Sequence, residues 1–105
     1  MTVVTLYAVF ANDAEATRIG RQMVDERLAA CVNILGPCRS FYRWDGAVRD
    51  ATEVPALFKT TTDRTEALVA RLTELHSYDV PAIVAWSIER LPVAYAEWIE
   101  ASLTG

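Results

Sequence analysis

The chain opens with a nearly continuous run of β-branched and aromatic residues from Thr2 to Phe10. That is the pattern of a strand buried on both faces, and so of one central in a sheet. Asn12 or Asp13 then caps a helix, with Glu15 three residues after Asn12 as in a capping box. Ala16, Ile19, Gly20, Met23 and Val24 recur at helical spacing, while Glu15, Arg18, Gln22, Asp25 and Glu26 fall outside the stripe. The spacing predicts a helix lying on a sheet and ending near Leu28 to Ala30. Further on, Asp63 with Glu66 opens a second helix whose apolar stripe is Leu68, Leu72 and Leu75, with His76 at its end. Ser77 to Pro81 reads as a turn, and Ala82 to Glu89 as another apolar strand, containing Trp86. Leu91-Pro92 starts a third helix, on which Tyr95, Trp98, Ile99 and Ser102 share a face.

Between the first two helices, Cys31 to Thr61 reads as one very long β-hairpin folded at Asp45-Gly46. Asp-Gly between β-rich flanks marks a tight type I′ turn, because both central positions need positive φ. A two-residue turn there sets Trp44 opposite Ala47, Arg43 opposite Val48, Tyr42 opposite Arg49 and Phe41 opposite Asp50. Each arm would hold a dozen or more residues and reach about 40 Å. A compact domain of about 100 residues has a radius of gyration near 13 Å, so such a hairpin overhangs its own core. The overhang carries Phe41 on one face and Tyr42 with Trp44 on the other, among Arg39, Arg43 and Arg49. Large aromatics on a two-stranded ribbon that is marginal alone are the material of a protein–protein surface, which points to a homo-oligomer. The alternative is a hairpin bent or broken at Pro37 and Pro55 that folds back on its own chain. The element order, β-α-β-β-α-β and a terminal helix, is the split βαβ of an α+β, ferredoxin-like sandwich, here a single domain over residues 1–105.

Composition narrows the function by exclusion. The 105 residues are 52% hydrophobic, enough for a real core. A net charge of −4 without a Lys/Arg cluster argues against nucleic-acid or anionic-membrane partners. No run approaches the length of a membrane span, and Val3 to Ala11 has no basic residue before it, so no signal peptide is read and a cytoplasmic location is expected. Cys31 and Cys38 on one extended strand would stand about 23 Å apart, too far for a disulfide, and their spacing is not Cys-x-x-Cys. Phosphate loops, paired-histidine metal helices and nucleophile elbows are all missing from the sequence, and no enzyme is expected.

Five residue types carry what remains. His76 at a helix C-terminus is either a metal ligand or pH-sensitive group, or a donor to terminal carbonyls. Cys31 is a thiolate for a soft metal or a small apolar side chain at the start of a core strand. Lys59, within an apolar strand end, either faces solvent or has a carboxylate partner. Glu53 is that partner by type, but the two lie about 20 Å apart on a regular strand, so a pair would form across subunits. Trp86 and Trp98 read as core or interface anchors.

Leu28-Ala29-Ala30-Cys31-Val32-Asn33, Tyr42-x-Trp44-x-Gly46, Glu53, Lys59-Thr60 and His76-x-Tyr78-x-x-Pro81 resemble, in order and spacing, the CutA divalent-cation tolerance family. The likeness runs from the first strand through the last helix. It implies a ferredoxin-like subunit in a homotrimer assembled through the long hairpins, with Phe41, Tyr42 and Trp44 at the interface. It implies tolerance to copper and other divalent cations, weak binding of Cu(II) or a similar cation, and Cys31 and His76 as metal contacts. Trp44, Glu53, Lys59 and Tyr78 would line clefts between subunits. The trimer also resembles the PII signalling proteins, which implies as the alternative a sensor of a small anionic ligand held between subunits by Lys59 and the hairpin arginines. Two departures matter: where the family has His-Pro-Tyr-x-x-Pro-Glu, this chain has Ser77 for the first proline and Ala82 for the glutamate, and the second removes an oxygen ligand or charge partner near His76.

Overall fold

A computed structural model describes residues 2–104. In chain order it has β1 (Val3–Phe10), α1 (Asp13–Asp25), β2 (Cys31–Ile34), β3 (Cys38–Trp44), β4 (Ala47–Thr61), α2 (Thr62–Leu75), β5 (Ile83–Ser87) and α3 (Val93–Leu103). The antiparallel sheet runs β2-β4-β1-β5, so β1 is central as its two-sided hydrophobicity requires, and β3 pairs only with the outer part of β4. This is the ferredoxin-like arrangement. No helix among the described residues is long and apolar enough to cross a membrane.

Alternation along the central strands sends Leu6, Ala8, Phe10, Ala56 and Phe58 to one face, where Ile19 and Met23 of α1 and Leu68 and Leu72 of α2 bury them. Gly20 lets α1 come close: a Cβ there would stand 3.3 Å from the Val32 side chain. Val24, at the edge of the predicted stripe, is exposed, and α1 stops at Asp25 rather than near Leu28. The stop is a left-handed cap. Arg27 takes φ 59°, its N–H reaches the Val24 carbonyl, and Leu28 N–H reaches that of Met23. The other sheet face is covered only at one end, where Ile99 and Leu103 of α3 pack on Val3 and Ala30. Beyond α3, Val84 and Trp86 are half exposed, so Trp86 is not a core residue of this chain.

The long hairpin forms with the turn and register expected, Trp44 opposite Ala47 and Phe41 opposite Asp50. Its first arm is not continuous. Ile34 lies opposite Ala56 and Cys38 opposite Glu53, so three residues, Leu35 to Pro37, face two, Val54 and Pro55. One extra residue in the arm is a bulge. In an antiparallel pair a residue's N–H and C=O point to the same side. The Pro55 carbonyl accepts from Leu35 N–H at 2.9 Å, so the N–H that proline lacks would point at the break, where it has least to do. Neither proline folds the hairpin back. Every residue from Phe41 to Asp50 is exposed, and the molecule extends 45 × 25 × 23 Å with a radius of gyration of 14.4 Å.

Gly46 has φ +76° and open space around it, so its cost of replacement is confined to the backbone. Gly46→Val should lower unfolding free energy by about 1–2 kcal/mol, the penalty of an L-residue in the left-handed region. Gly36→Ala, in open space and outside that region, should be neutral or stabilising by about 0.5 kcal/mol. Urea unfolding of both variants checks the pair.

Candidate functional site

The ribbon of β3 and outer β4 extends beyond the body, and the segment 77–82 between α2 and β5 stands against it. Between them is a cleft of about 700 Å³. Because β-strand side chains alternate, Ser40, Tyr42 and Trp44 of β3 share one ribbon face with Arg49 and Glu53 of β4, and that face lines the cleft. Val9, Tyr78, Val80 and Ala82 form the opposite wall. Phe41 lies on the outer ribbon face, 63% exposed, under the Arg39 guanidinium, which also pairs with Asp50 at 2.8 Å.

Glu53 sits at the inner end of the cleft with only 9% of its surface exposed. Tyr78 donates its hydroxyl to Glu53 Oε2 at 2.8 Å. Burial, and then this bond to a carboxylate, push the Tyr78 phenol well above its ordinary range. Tyr7 shifts the same way, through burial and then the nearby Cys38 and Glu53. Among the described residues no lysine or arginine forms an ion pair with Glu53. A carboxylate so far withdrawn from water, with one hydrogen bond and no countercharge, is the most demanding group in the cleft.

His76 closes α2 at the back of this wall, fully buried and stacked on Phe10 at 5.1 Å. Its ring reaches neither helix carbonyls nor a free coordination position. Tyr78 N–H donates to Nδ1 at 3.0 Å, so Nδ1 carries no proton and Nε2–H donates to the Val9 carbonyl at 2.7 Å. The one lone pair, on Nδ1, is spent on Tyr78, and the one N–H, on Nε2, on β1. Glu15 Oε1, 3.6 Å from Nδ1, is taken by Ser77 N–H at 3.1 Å, and Oε2 accepts from the Ser77 hydroxyl at 2.7 Å. The capping box is thus half formed. Asn12 Oδ1 accepts from Glu15 N–H, but the Glu15 side chain leaves the helix end to hold the turn that carries Tyr78.

Cys31 and Lys59 stand elsewhere. Trp86, Thr5, Lys59 and Cys31 form one row across the sheet, on the face partly covered by α3. The Cys31 thiol is half buried and meets the Tyr95 hydroxyl at 3.6 Å, with Tyr95 stacked on Trp98 at 5.9 Å. Burial and the Cys31 contact push Tyr95 up to about 12. Both cysteines are free. The Cys31 row crosses β1 at Thr5, and His76 touches β1 at Val9, four residues or about 13 Å along the strand. The two expected metal contacts therefore form no common site within one chain, and the imidazole has no lone pair to give. Among the described residues, no three His, Cys, Asp or Glu side chains cluster to hold a metal ion. Glu53 and Lys59, on the same face of β4, are six residues or about 20 Å apart and do not meet within the chain. The structure does bring together Glu53 and Tyr78, with Trp44 farther out along the same cleft. Reading the sequence missed Glu15 and Ser77 as supports, because Asn12-x-x-Glu15 carries no mark of a partner 62 residues away.

A ferredoxin-like α+β chain with an overhanging aromatic ribbon and a carboxylate-floored cleft is the class that fold and site define. A family model described as CutA1 divalent ion tolerance protein matches residues 4–102, and the chain belongs to that family. It is 39% identical over 93 residues to the protein CutA homolog of Danio rerio, a match covering 89% of this chain and 62% of that protein. It is 35% identical over 101 residues to the divalent-cation tolerance protein CutA of Thermotoga maritima, covering 96% and 99% respectively. CutA1 from Oryza sativa superposes with a TM-score of 0.94 at 31% identity, covering 97% of this chain and 94% of that one. The periplasmic divalent cation tolerance protein CutA from Archaeoglobus fulgidus gives 0.94 at 32% identity, covering 97% and 99%.

Tyr78→Phe strips Glu53 of its donor while keeping the ring, and should cost about 1–3 kcal/mol in urea unfolding. Tyr95 is shifted upward from 10.0 to about 12, so its contribution to stability is complete below pH 10 and is lost as pH rises through 12. The stability difference between wild type and Tyr95→Phe should therefore shrink across that interval, read from denaturation midpoints at stepped pH.

Proposed function

We propose that this chain serves divalent-cation tolerance as a homotrimer without enzymatic chemistry of its own, in the cytoplasm. The observation that supports this is the ribbon. Phe41 and Trp44 are 63% and 49% exposed on opposite faces of a two-stranded extension that is marginal in water alone, and a second copy would bury them. Tyr42 joins them at that interface. Cations, copper in the first place, are bound weakly at clefts between copies, with the Cys31 thiol as the soft donor and further ligands drawn from a neighbour. Lys59 reaches the cleft of Glu53, Trp44 and Tyr78 only from another subunit.

A second reading is favoured by the 700 Å³ cleft itself. It makes the assembly a PII-like small-molecule sensor, with the hairpin arginines at the cleft mouth. A native mass spectrum of the reduced protein, with and without equimolar Cu(II), tests the first reading. The expected outcome is a trimer that gains reproducible copper masses, lost in Cys31→Ser. A monomer overturns the assembly. A trimer without copper uptake overturns the cation site and shifts the function to the sensor, which stabilisation by small organic ligands but not by cations would then support.

A further inference from the structure

Each of the two thiols stands beside a charge that has no partner in its own chain. Cys31 is opposite Lys59 in the β2–β4 ladder, and Cys38 is opposite Glu53 in the β3–β4 ladder. Residues directly opposite in an antiparallel pair share a face, and Lys59 and Glu53 are an even number of residues apart on β4. All four side chains therefore lie on one sheet face, the one that α3 covers in part. The charges of Cys38 and Glu53 both reach Tyr7 on that face. Among the described residues, no carboxylate pairs with Lys59 and no base pairs with Glu53. The chain thus carries two half-sites, Lys59 with Cys31 and Glu53 with Cys38. Being about 20 Å apart along β4, they cannot meet within one copy. We propose, on the trimeric reading above in which Lys59 of one copy answers Glu53 of the next, that Cys31 of the first copy and Cys38 of the second form a two-coordinate site for a soft monovalent cation of the Cu(I) class.

Tyr78 decides the side from which the ammonium arrives. It engages Glu53 Oε2 from the wall opposite the ribbon, so the flank left open is the one toward β3, where Cys38 stands. Sheet surfaces that face each other pack about 10 Å apart, a gap that extended lysine and glutamate side chains bridge together. Two cysteines do not bridge it directly, because a disulfide needs Cα atoms within about 7 Å. A metal between two thiolates sets the sulfurs about 4.6 Å apart, at about 2.3 Å per bond, and so closes a gap that a disulfide cannot. The ligand set then selects the ion. Thiolates are soft and favour Cu(I), whereas zinc takes four ligands and calcium takes about six to eight oxygens. With Glu53 engaged by Tyr78 and Lys59, the interface offers two sulfurs, and no cluster of three ligating side chains exists among the described residues to add to them. Both thiols are half buried beside a hydroxyl, Cys31 at 3.6 Å from that of Tyr95 and Cys38 at 3.7 Å from that of Ser40. Either hydroxyl can donate to its sulfur once the proton has left. Two thiolates and a monocation leave one negative charge, and the Lys59 ammonium stands beside it.

Silver(I), a soft monocation that is stable to redox change, is the probe. Native mass spectrometry of the reduced wild-type protein titrated with Ag(I) should show a trimer holding one silver ion per subunit, and Cys31→Ser and Cys38→Ser should each lose it. Co-expression of the two variants, one carrying a short terminal tag, separates a shared site from one inside a chain. The contact is head-to-tail and closes into a ring, so every mixed trimer has a single place where a chain that keeps Cys31 meets one that keeps Cys38. Mixed trimers should therefore regain one silver ion, whereas a site within one chain would regain none. Silver X-ray absorption of the wild-type trimer should show two sulfur neighbours, a reading that stands even where a variant does not fold. A trimer that takes up no silver, silver uptake that survives Cys38→Ser, mixed trimers that regain none, or a single sulfur neighbour overturns this inference while the trimer itself stands. A monomer overturns the trimeric reading and this inference with it.

Discussion

Fifteen consecutive residues of β4 have to satisfy backbone hydrogen bonds, and the strand is longer than any one neighbour can serve. Its inner half is enclosed, with β1 on one edge and β2 on the other. Its outer half has only β3, and the free edge there is open. Shape follows from that division: a packed sandwich at one end, a two-stranded ribbon at the other, and a cleft where the 77–82 segment rises against the ribbon. The Tyr78 to Glu53 bond is a side-chain tie between those parts, made to β4 where the enclosed half gives way to the ribbon.

The bulge at Leu35 to Pro37 decides which residues can act together. In β2 the odd-numbered side chains, Cys31 and Asn33, share a face with Lys59 and Leu57 of β4. In β3 it is the even-numbered ones, Cys38, Ser40, Tyr42 and Trp44, that share a face with Glu53, Ala51, Arg49 and Ala47. Without the extra residue the alternation would carry through and put Trp44 on the face away from Glu53. Asp45-Gly46 could not then close a two-residue turn. The cleft thus owes its aromatic lining to a single inserted backbone unit, and Pro55 marks where the ladder can spare a donor.

Much of this was legible in the residues. A continuous apolar run gave β1, because both its faces are buried, and helical spacing gave the inner faces of α1 and α2. Asp45-Gly46 gave the turn and four pairs of its register, because few residues tolerate positive φ. The interruption of the first arm was legible only as two prolines, whose effect depends on which side their missing N–H faces, and that is a property of the pairing. Exposure of Trp86 and Val24 was not legible either. A sheet face covered at one end by α3 and open at the other looks, residue by residue, like a buried strand. The contacts of Glu15, Ser77 and Val9 with the His76 region lie beyond any local pattern, since each joins positions more than sixty residues apart.

The imidazole shows how far residue type can mislead about chemistry. The family resemblance makes His76 and Cys31 metal contacts, yet here each ring nitrogen has a backbone partner and the side chain is sealed from solvent. To take a metal it would have to release either the Val9 carbonyl or the Tyr78 N–H, leaving a buried polar group unpaired at about 1–3 kcal/mol. What His76 does is hold Tyr78, and what Tyr78 does is hold Glu53. A chain of neutral hydrogen bonds therefore ends on a carboxylate, and the group of this region left with unused binding capacity is that carboxylate rather than the ring. Ala82 gives that wall of the cleft a methyl group, so Glu53 is the acidic side chain at its inner end, held there by the bond from Tyr78.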